Sequence, residues 1–208
     1  MGEERILLVD DHPLIREGLQ MALRMRLPGY TLDAVDSISA GEHMAARHKA
    51  YKLLLLDYHL PENQGFAGFF RMRHALGATP IAMLSAEHDP HIIATARSLG
   101  AVGFLTKMQK LEELAGNIDL LLLGKPVFHL ETGVSNELAL LGKKVQTLSR
   151  AQMRVLVALS QGHLNKQIAA ELGLTEATIK AHMSAIFRKL GVVNRAQAIL
   201  ATRALSSH

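Results

Sequence analysis

The sequence predicts an α/β domain, a doubly wound parallel sheet of five strands, followed by a small all-α domain. Three observations carry this. Four short apolar runs each end in a polar, chemically capable residue: Ile6-Leu7-Leu8-Val9-Asp10-Asp11, Leu53-Leu54-Leu55-Leu56-Asp57, Ile81-Ala82-Met83-Leu84-Ser85 and Val102-Gly103-Phe104-Leu105-Thr106-Lys107. Uninterrupted apolar runs suit strands covered on both faces, and the carboxyl ends of such strands line a ligand crevice. Strand and helix signals alternate as far as residue 124, and beyond the next twenty residues every signal is helical.

The first strand ends at Asp10, and Ile15, Leu19, Ala22 and Leu23 then recur at helical spacing until Pro28-Gly29. Thr31 to Val35 is followed by helix Ser39 to His48, Leu53 to Asp57 by Phe66 to Ala75, and Pro80 to Ser85 by Pro90 to Leu99. Asp89 is a suitable N-cap with Pro90 at the first helical position, and Gly100 supplies the stop. Val102 to Thr106 precedes a helix from about Leu111 to Leu123, so the first domain spans residues 1–124. Residues 125–144 are a linker, broken by Pro126, Gly133 and Gly142 and helical around Asn136 to Leu141. Within 145–208, Ser149 caps Ala151 to Ser160, and Asn165 to Leu172 follows Gly162. Gly173-Leu174-Thr175 turns into Glu176 to Leu190, and a last helix spans about Arg195 to Ala204.

At 208 residues and 49% apolar the chain has ample material for a core. It has no Cys, which excludes a disulfide framework and thiolate chemistry and fits a reducing compartment. The N-terminus lacks a basic segment followed by a long apolar one, so no secretory signal is expected. The longest apolar stretches fall far short of the roughly 20 residues needed to cross a bilayer, and a cytoplasmic protein without a membrane partner is expected. Charge is unevenly placed. Residues 1–124 hold 12 Lys/Arg against 15 Asp/Glu, a net of −3, while residues 143–208 hold 10 against 2, a net of +8. Two halves with different partners follow.

Asp10, Asp11 and Asp57 at one sheet edge would repel one another unless a cation joined them. A hard divalent ion, Mg2+ above all, relieves this while keeping waters for a phosphate ligand. Lys107 adds a charge suited to phosphoryl oxygens and Ser85 a hydroxyl donor. A carboxylate so placed can act as nucleophile on phosphorus, giving an acyl phosphate. The rival is a phosphatase of the haloacid dehalogenase kind. It needs a second acid two residues after its nucleophile, where this chain has His59, so an enzyme is not expected. None of the eleven histidines forms an H-E-x-x-H pattern.

On Glu176 to Leu190, the residues Ile179, Met183, Ile186 and Leu190 form one apolar stripe. Lys180, Ser184 and Arg188 point away from it among Ala177, Ala181 and Ala185, leaving a basic, unobstructed face that can enter a major groove. With the preceding helix and its short glycine-containing turn, this makes a helix-turn-helix.

Leu7-Leu8-Val9-Asp10-Asp11-His12, Asp57-Tyr58-His59-Leu60-Pro61 to Gly65, Leu84-Ser85-Ala86 and Phe104-Leu105-Thr106-Lys107 resemble the signature blocks of bacterial two-component receiver domains, whose fold is flavodoxin-like. The resemblance implies that Asp57 is the phosphoacceptor. It implies further that Asp11, Asp57 and the backbone carbonyl of His59 bind Mg2+ directly, with Asp10 acting through coordinated water. Lys107 and Ser85 would hold the phosphoryl oxygens, Phe104 stands at the aromatic switch position, and His59 and Glu87 occupy places that tune dephosphorylation. Met108 departs from the common acidic residue. Leu148-Ser149 through Val155-Leu156, Asn165-Lys166-Gln167-Ile168-Ala169, Thr178-Ile179-Lys180-Ala181-His182 and Lys189-Leu190-Gly191 are similar to the LuxR-type DNA-binding domain. Here the resemblance implies a recognition helix Glu176 to Leu190 with Lys180, Ala181 and Ser184 at base edges. Asn165, Lys166, Thr178, Arg188 and Lys189 would hold phosphates or support docking. The last helix, with Ala196, Ile199 and Leu200, would pair two such domains. Arg150-Ala151-Gln152 departs from the common Pro-Arg-Glu. The order of the two parts matches response regulators of the NarL/FixJ type. This implies a cognate histidine kinase, double-stranded DNA and the transcription machinery as partners, and a homodimer when phosphorylated. The alternative is a receiver that serves as a phosphate sink or protein-interaction module without DNA output.

Overall fold

The computed structural model describes residues 4–48, 50–61, 65–87, 89–128 and 136–204. Strands and helices alternate as β1 (Glu4–Val9), α1 (Pro13–Arg26), β2 (Tyr30–Val35), α2 (Ile38–Arg47), β3 (Tyr51–Asp57), α3 (Ala67–Leu76), β4 (Ile81–Ser85), α4 (Pro90–Ser98), β5 (Gly103–Thr106), α5 (Leu111–Leu122) and β6 (Val127–Phe128). Five helices follow: α6 (Asn136–Gln146), α7 (Arg150–Ser160), α8 (Asn165–Leu172), α9 (Glu176–Leu190) and α10 (Arg195–Ala204). None of the described helices is long and apolar enough to cross a membrane.

The sheet is wholly parallel in the order β2-β1-β3-β4-β5-β6. Its order reverses between β1 and β3, and at such a switch point the flanking connections leave in opposite directions and open a crevice at the strand ends. The period of two sorts the apolar runs onto both faces. Ile6, Leu8, Leu53 and Leu55 pack with Leu19 of α1 and Ile118 of α5, while Leu7, Val9, Leu54 and Leu56 pack toward α2, α3 and α4. The strands are therefore dry on both sides, which is why their sequences are continuously apolar rather than alternating.

The sheet has six strands where the sequence predicts five. Val127 pairs with Gly103 and Phe128 with Phe104. A two-residue strand behind Pro126 carries no periodicity to read. It can close on β5 because residue 103 is glycine: a Cβ there would stand 3.0 Å from the Val127 carbonyl oxygen.

Helix ends follow local chemistry. Ser37 accepts from the Ala40 amide, Asp89 from His91 at 2.7 Å, and Thr175 from Thr178 at 3.2 Å. Ser149 and Gln152 form a reciprocal capping box. Gly173 and Gly191 end α8 and α9 in the left-handed conformation, at φ 65° and 75°.

The second half packs directly on the first. Helix α7 lies along α3, and one apolar cluster runs from Phe69 and Phe70 through Met153 and Leu156 to Ile168, Ile179 and Ile186. Helix α6 straps the two together. It is longer than the helix around Asn136 to Leu141 that the sequence suggests, and it runs through Gly142 and past residue 144, where the linker is expected to end. Val145 is buried, Gln146 Nε2 donates to the Ser98 carbonyl of α4 at 2.7 Å, and Lys144 Nζ donates to the Leu190 carbonyl of α9 at 3.1 Å. Gly142 is no breaker here. A Cβ at that position would collide with the Ser98 backbone carbonyl, so glycine is what lets α6 touch α4.

Gly142→Ala should therefore separate the halves. The steric conflict is worth about 1–3 kcal/mol, and the expected result is a fall in energy transfer between dyes on the two halves, with helical circular dichroism retained. Unchanged transfer would count against α6 as the strap.

Candidate functional site

The crevice at the switch point collects the strand-end residues. Asp10 follows β1, Asp57 closes β3, Ser85 closes β4 and Lys107 follows β5. The Lys107 ammonium, itself nearly buried, lies 2.8 Å from Asp10 Oδ2 and 2.7 Å from Asp57 Oδ2. Backbone amides hold the other carboxylate oxygens: His12 donates to Asp10 Oδ1 at 2.9 Å and His59 to Asp57 Oδ1 at 3.1 Å. Arg16, one turn into α1, donates to the Asp10 carbonyl at 2.7 Å and fixes the loop that presents Asp11. The Lys107 amide donates to the Ser85 carbonyl at 2.8 Å, which ties β4 to the loop after β5.

Burial pushes the Asp57 carboxyl above its ordinary range. The charge of Asp10 adds to this, while the Lys107 ammonium and the His59 amide oppose it. One ammonium serves two dry carboxylates, so negative charge in the crevice is incompletely matched. Asp10 Oδ2, Asp11 Oδ1 and Asp57 Oδ2 are buried and accept no well-aligned hydrogen bond; the Lys107 ammonium and the His12 Nδ1 are their close neighbours. That oxygen set fits a hard divalent cation, and Asp10, Asp11, His12 and Asp57 each offer a ligand atom within 4.8 Å of one another.

His12 is the residue that sequence reasoning missed. Its Nδ1 lies 2.8 Å from Asp11 Oδ1 and 3.1 Å from Asp10 Oδ1, and 3.4 Å from Lys107 Nζ. The signal was its place directly after the acidic pair, where a strand end turns into a helix start.

The other expected residues take different places. Ser85 is fully buried and its hydroxyl accepts from the Glu87 amide at 3.0 Å. Phe104 is buried within β5, beside Met83 and Phe128 in register. His59 and Glu87 are exposed, with Nε2 and Oε1 3.7 Å apart at the mouth.

In the second half, Ile179, Met183, Ile186 and Leu190 of α9 are buried and Lys180, Ala181, Ser184 and Arg188 are exposed. The first half does not cover this face. Lys166 on α8 is exposed as well, and the hydroxyls of Thr175 and Thr178 lie 2.9 Å apart at the start of α9. Asn165 Oδ1 receives Arg195 at 3.5 Å, and Ser184 Oγ donates to the Lys180 carbonyl. Lys189 stands apart from the other candidates: its ammonium donates to the Thr147 carbonyl at 2.7 Å and to Gln152 Oε1 at 2.8 Å, inside the domain.

A metal-compatible aspartate crevice in a doubly wound sheet, joined to a helix-turn-helix with a free basic face, defines a class of two-part regulator. The chain belongs to the response regulators that combine a receiver domain with a LuxR-family DNA-binding domain: residues 6–119 match the response regulator receiver domain, and residues 146–202 the bacterial regulatory proteins of the luxR family. It is 34% identical over 206 residues to the glycerol metabolism activator of Pseudomonas putida, covering 94% of this chain and 93% of that one. It is 31% identical over 196 residues to the Fimbriae Z protein of Salmonella typhimurium, covering 92% of each. The fold is similar to that of the response regulator RcsB in its DNA complex, with a TM-score of 0.55 over 98% of this chain and 99% of that one, at 21% identity.

Because burial raises the Asp57 carboxyl, its ionisation works against folding. The stability linked to this group is fully present below the ordinary carboxylate pKa and is lost as pH rises through the raised value. At pH 7, without divalent metal, Asp57→Asn should raise the thermal midpoint by about 2–4 °C, the response of a chain this size to about 1 kcal/mol. The gain should shrink as pH falls through the raised value, where wild-type Asp57 takes up its proton too. Calorimetry across that range checks it, and a lower midpoint for the variant at pH 7 would contradict it.

Proposed function

We propose that this chain is a transcription regulator whose sequence-specific DNA binding is controlled by phosphorylation of Asp57 by a partner histidine kinase. The observation that carries this is the pairing, in one molecule, of a buried Asp57 against the Lys107 ammonium with an exposed basic face on α9. Residues 1–124 together with the edge strand β6 form the receiver and 145–208 the DNA-binding domain, and α6 bridges them. Its working place is the cytoplasm.

Asp10, Asp11, Asp57 and the His59 backbone carbonyl are the groups that would hold Mg2+. Bound there, the ion supplies positive charge to the oxygens of the transferring phosphoryl group. Asp57 attacks the phosphorus of the kinase phosphohistidine; the new O–P bond forms as the N–P bond breaks, and the imidazole leaves with its electron pair. Lys107 then turns from Asp57 to a phosphoryl oxygen, and the Ser85 hydroxyl leaves the Glu87 amide to donate to another. Phe104 lies along the same route, and His59 and Glu87 at the mouth govern access of hydrolytic water.

Movement of the loop after β4 displaces α4, to which Gln146 of the strap is bonded, so the change reaches the second half through α6. The DNA-binding domain then pairs with a second copy through α10 on two half-sites. Lys180, Ala181 and Ser184 face base edges, and Asn165, Lys166, Thr178 and Arg188 contact or support the phosphate backbone. Lys189 joins them once it releases Thr147 and Gln152. The output is control of the transcription machinery rather than turnover of a substrate.

Incubation with acetyl phosphate and Mg2+ should give a retarded band on Phos-tag electrophoresis that Asp57→Asn abolishes. A band that survives the substitution would refute Asp57 as acceptor. On selected operator DNA, the logarithm of affinity should fall linearly with that of salt, by about 0.9 per phosphate contacted. Lys180→Ala should cost about 1–3 kcal/mol and relax preference at one base position. A flat salt dependence would favour the protein-interaction reading.

A further inference from the structure

The joint between α3 and α7 carries two exposed arginines that lie outside any ion pair among the described residues. Arg150 and Arg154 lie one turn apart on α7, on one face of the helix. Both act electrostatically on His74 of α3, and neither makes an ion pair among the described residues. The carboxylates at this joint have other partners: Glu42 holds Arg71 at 2.6 Å, and Glu171 holds His163 at 3.1 Å. Arg73 is also here, with its guanidinium donating to the carbonyls of Thr79 and Gly100 and stacked on the Phe69 ring. Those neutral partners leave its charge uncancelled. His74 Nδ1 is buried without a hydrogen-bond partner, and burial, then Arg154 and Arg150, push its pKa down.

These groups surround space. A cavity of about 440 Å³ opens between the halves, with Arg73, His74 and Arg150 as its charged or titratable lining and no carboxylate. Its apolar walls come from both halves, Phe70 and Leu99 on one side and Leu148 and Met153 on the other. A second cavity of about 460 Å³ meets it at Phe70 and His74; Arg154 lines that one, together with Arg71 and the carboxylates Glu42 and Glu171. Arg150 reaches the mouth across Gly77, its Nη2 2.8 Å from where a Cβ would stand. The carbonyl end of α3 there offers it partial charge, not a counter-ion. A volume of this size suits a small organic molecule, and convergent guanidinium groups on an apolar floor select an oxyanion attached to an apolar body.

We propose that this interdomain cavity binds a small organic anion, with a carboxylate or phosphate head held by Arg150 beside Arg73 and His74 and an apolar body against Phe70, Leu148 and Met153. Both halves line the site, so occupancy stabilises their docked arrangement by mass action. Such a ligand would oppose release of the DNA-binding half. The receiver would then be one input to the regulator and the joint a second.

The test uses the full chain with Asp57→Asn and no divalent metal, which keeps phosphate analogues from being drawn to the acidic crevice. Isothermal titration with phenyl phosphate, benzoate and inorganic phosphate, at ionic strength matched with NaCl, distinguishes the head from the body. Phenyl phosphate or benzoate should bind at least tenfold more tightly than inorganic phosphate. Arg150→Ala should weaken that binding at least tenfold. Ala78→Trp, at an exposed lining position that leaves Arg150 in place, should block it by filling the mouth. No saturable heat with either aryl anion, or affinity unchanged in both variants, would overturn the proposal.

Discussion

Two dry carboxylates share one ammonium at the edge of this sheet, and much of the molecule is arranged around that imbalance. Asp10 and Asp57 are carried there by strands buried on both faces, and Lys107 reaches them from β5 at 2.8 and 2.7 Å. A single positive charge cannot satisfy both in a low-dielectric site, so burial keeps Asp57 partly disfavoured as an anion. The crevice is thus strained toward accepting further positive charge, or toward changing the charge it already has. Under the proposed mechanism each of these events would alter where Lys107 points. Because the Lys107 amide is bonded to the Ser85 carbonyl, such a disturbance would reach the end of β4 and the loop that leads to α4.

The second half is positioned to register it. Helix α6 bonds to α4 at Ser98 and to the last turn of α9 at Leu190, spanning the distance between the helix after β4 and α9. In this arrangement the outer face of α9 is open, so docking does not act by covering it. What docking fixes is the orientation of the whole helix-turn-helix relative to the receiver, and with it the geometry in which two copies could meet. Lys189 illustrates the coupling: its ammonium holds Thr147, the residue just after the strap.

Legibility in the sequence followed locality. The strand-end residues were readable because each closes its own apolar run and a parallel sheet aligns such ends by register. The stripe on α9 and the caps at Ser149 and Thr175 were readable for the same reason, since a helix face is decided within one or two turns. His12, β6 and the full length of α6 were not. His12 gains its role from carboxylates on two other segments, β6 from a missing Cβ at Gly103, and α6 from a missing Cβ at Gly142 that local propensity scores as a break.

By itself the sequence determined the class of fold, the four strand-end residues of the crevice and the outward face of α9, because periodicity and strand ends are properties of short segments. Tertiary structure alone decided how the halves are joined. That joint depends on close backbone approach at Gly142, on the bonds of Lys144 and Gln146, and on arginines facing His74 across α3 and α7. These are contacts between residues far apart in the chain. No local pattern encodes them, since each side chain acquires its partner only when the two cores have already formed.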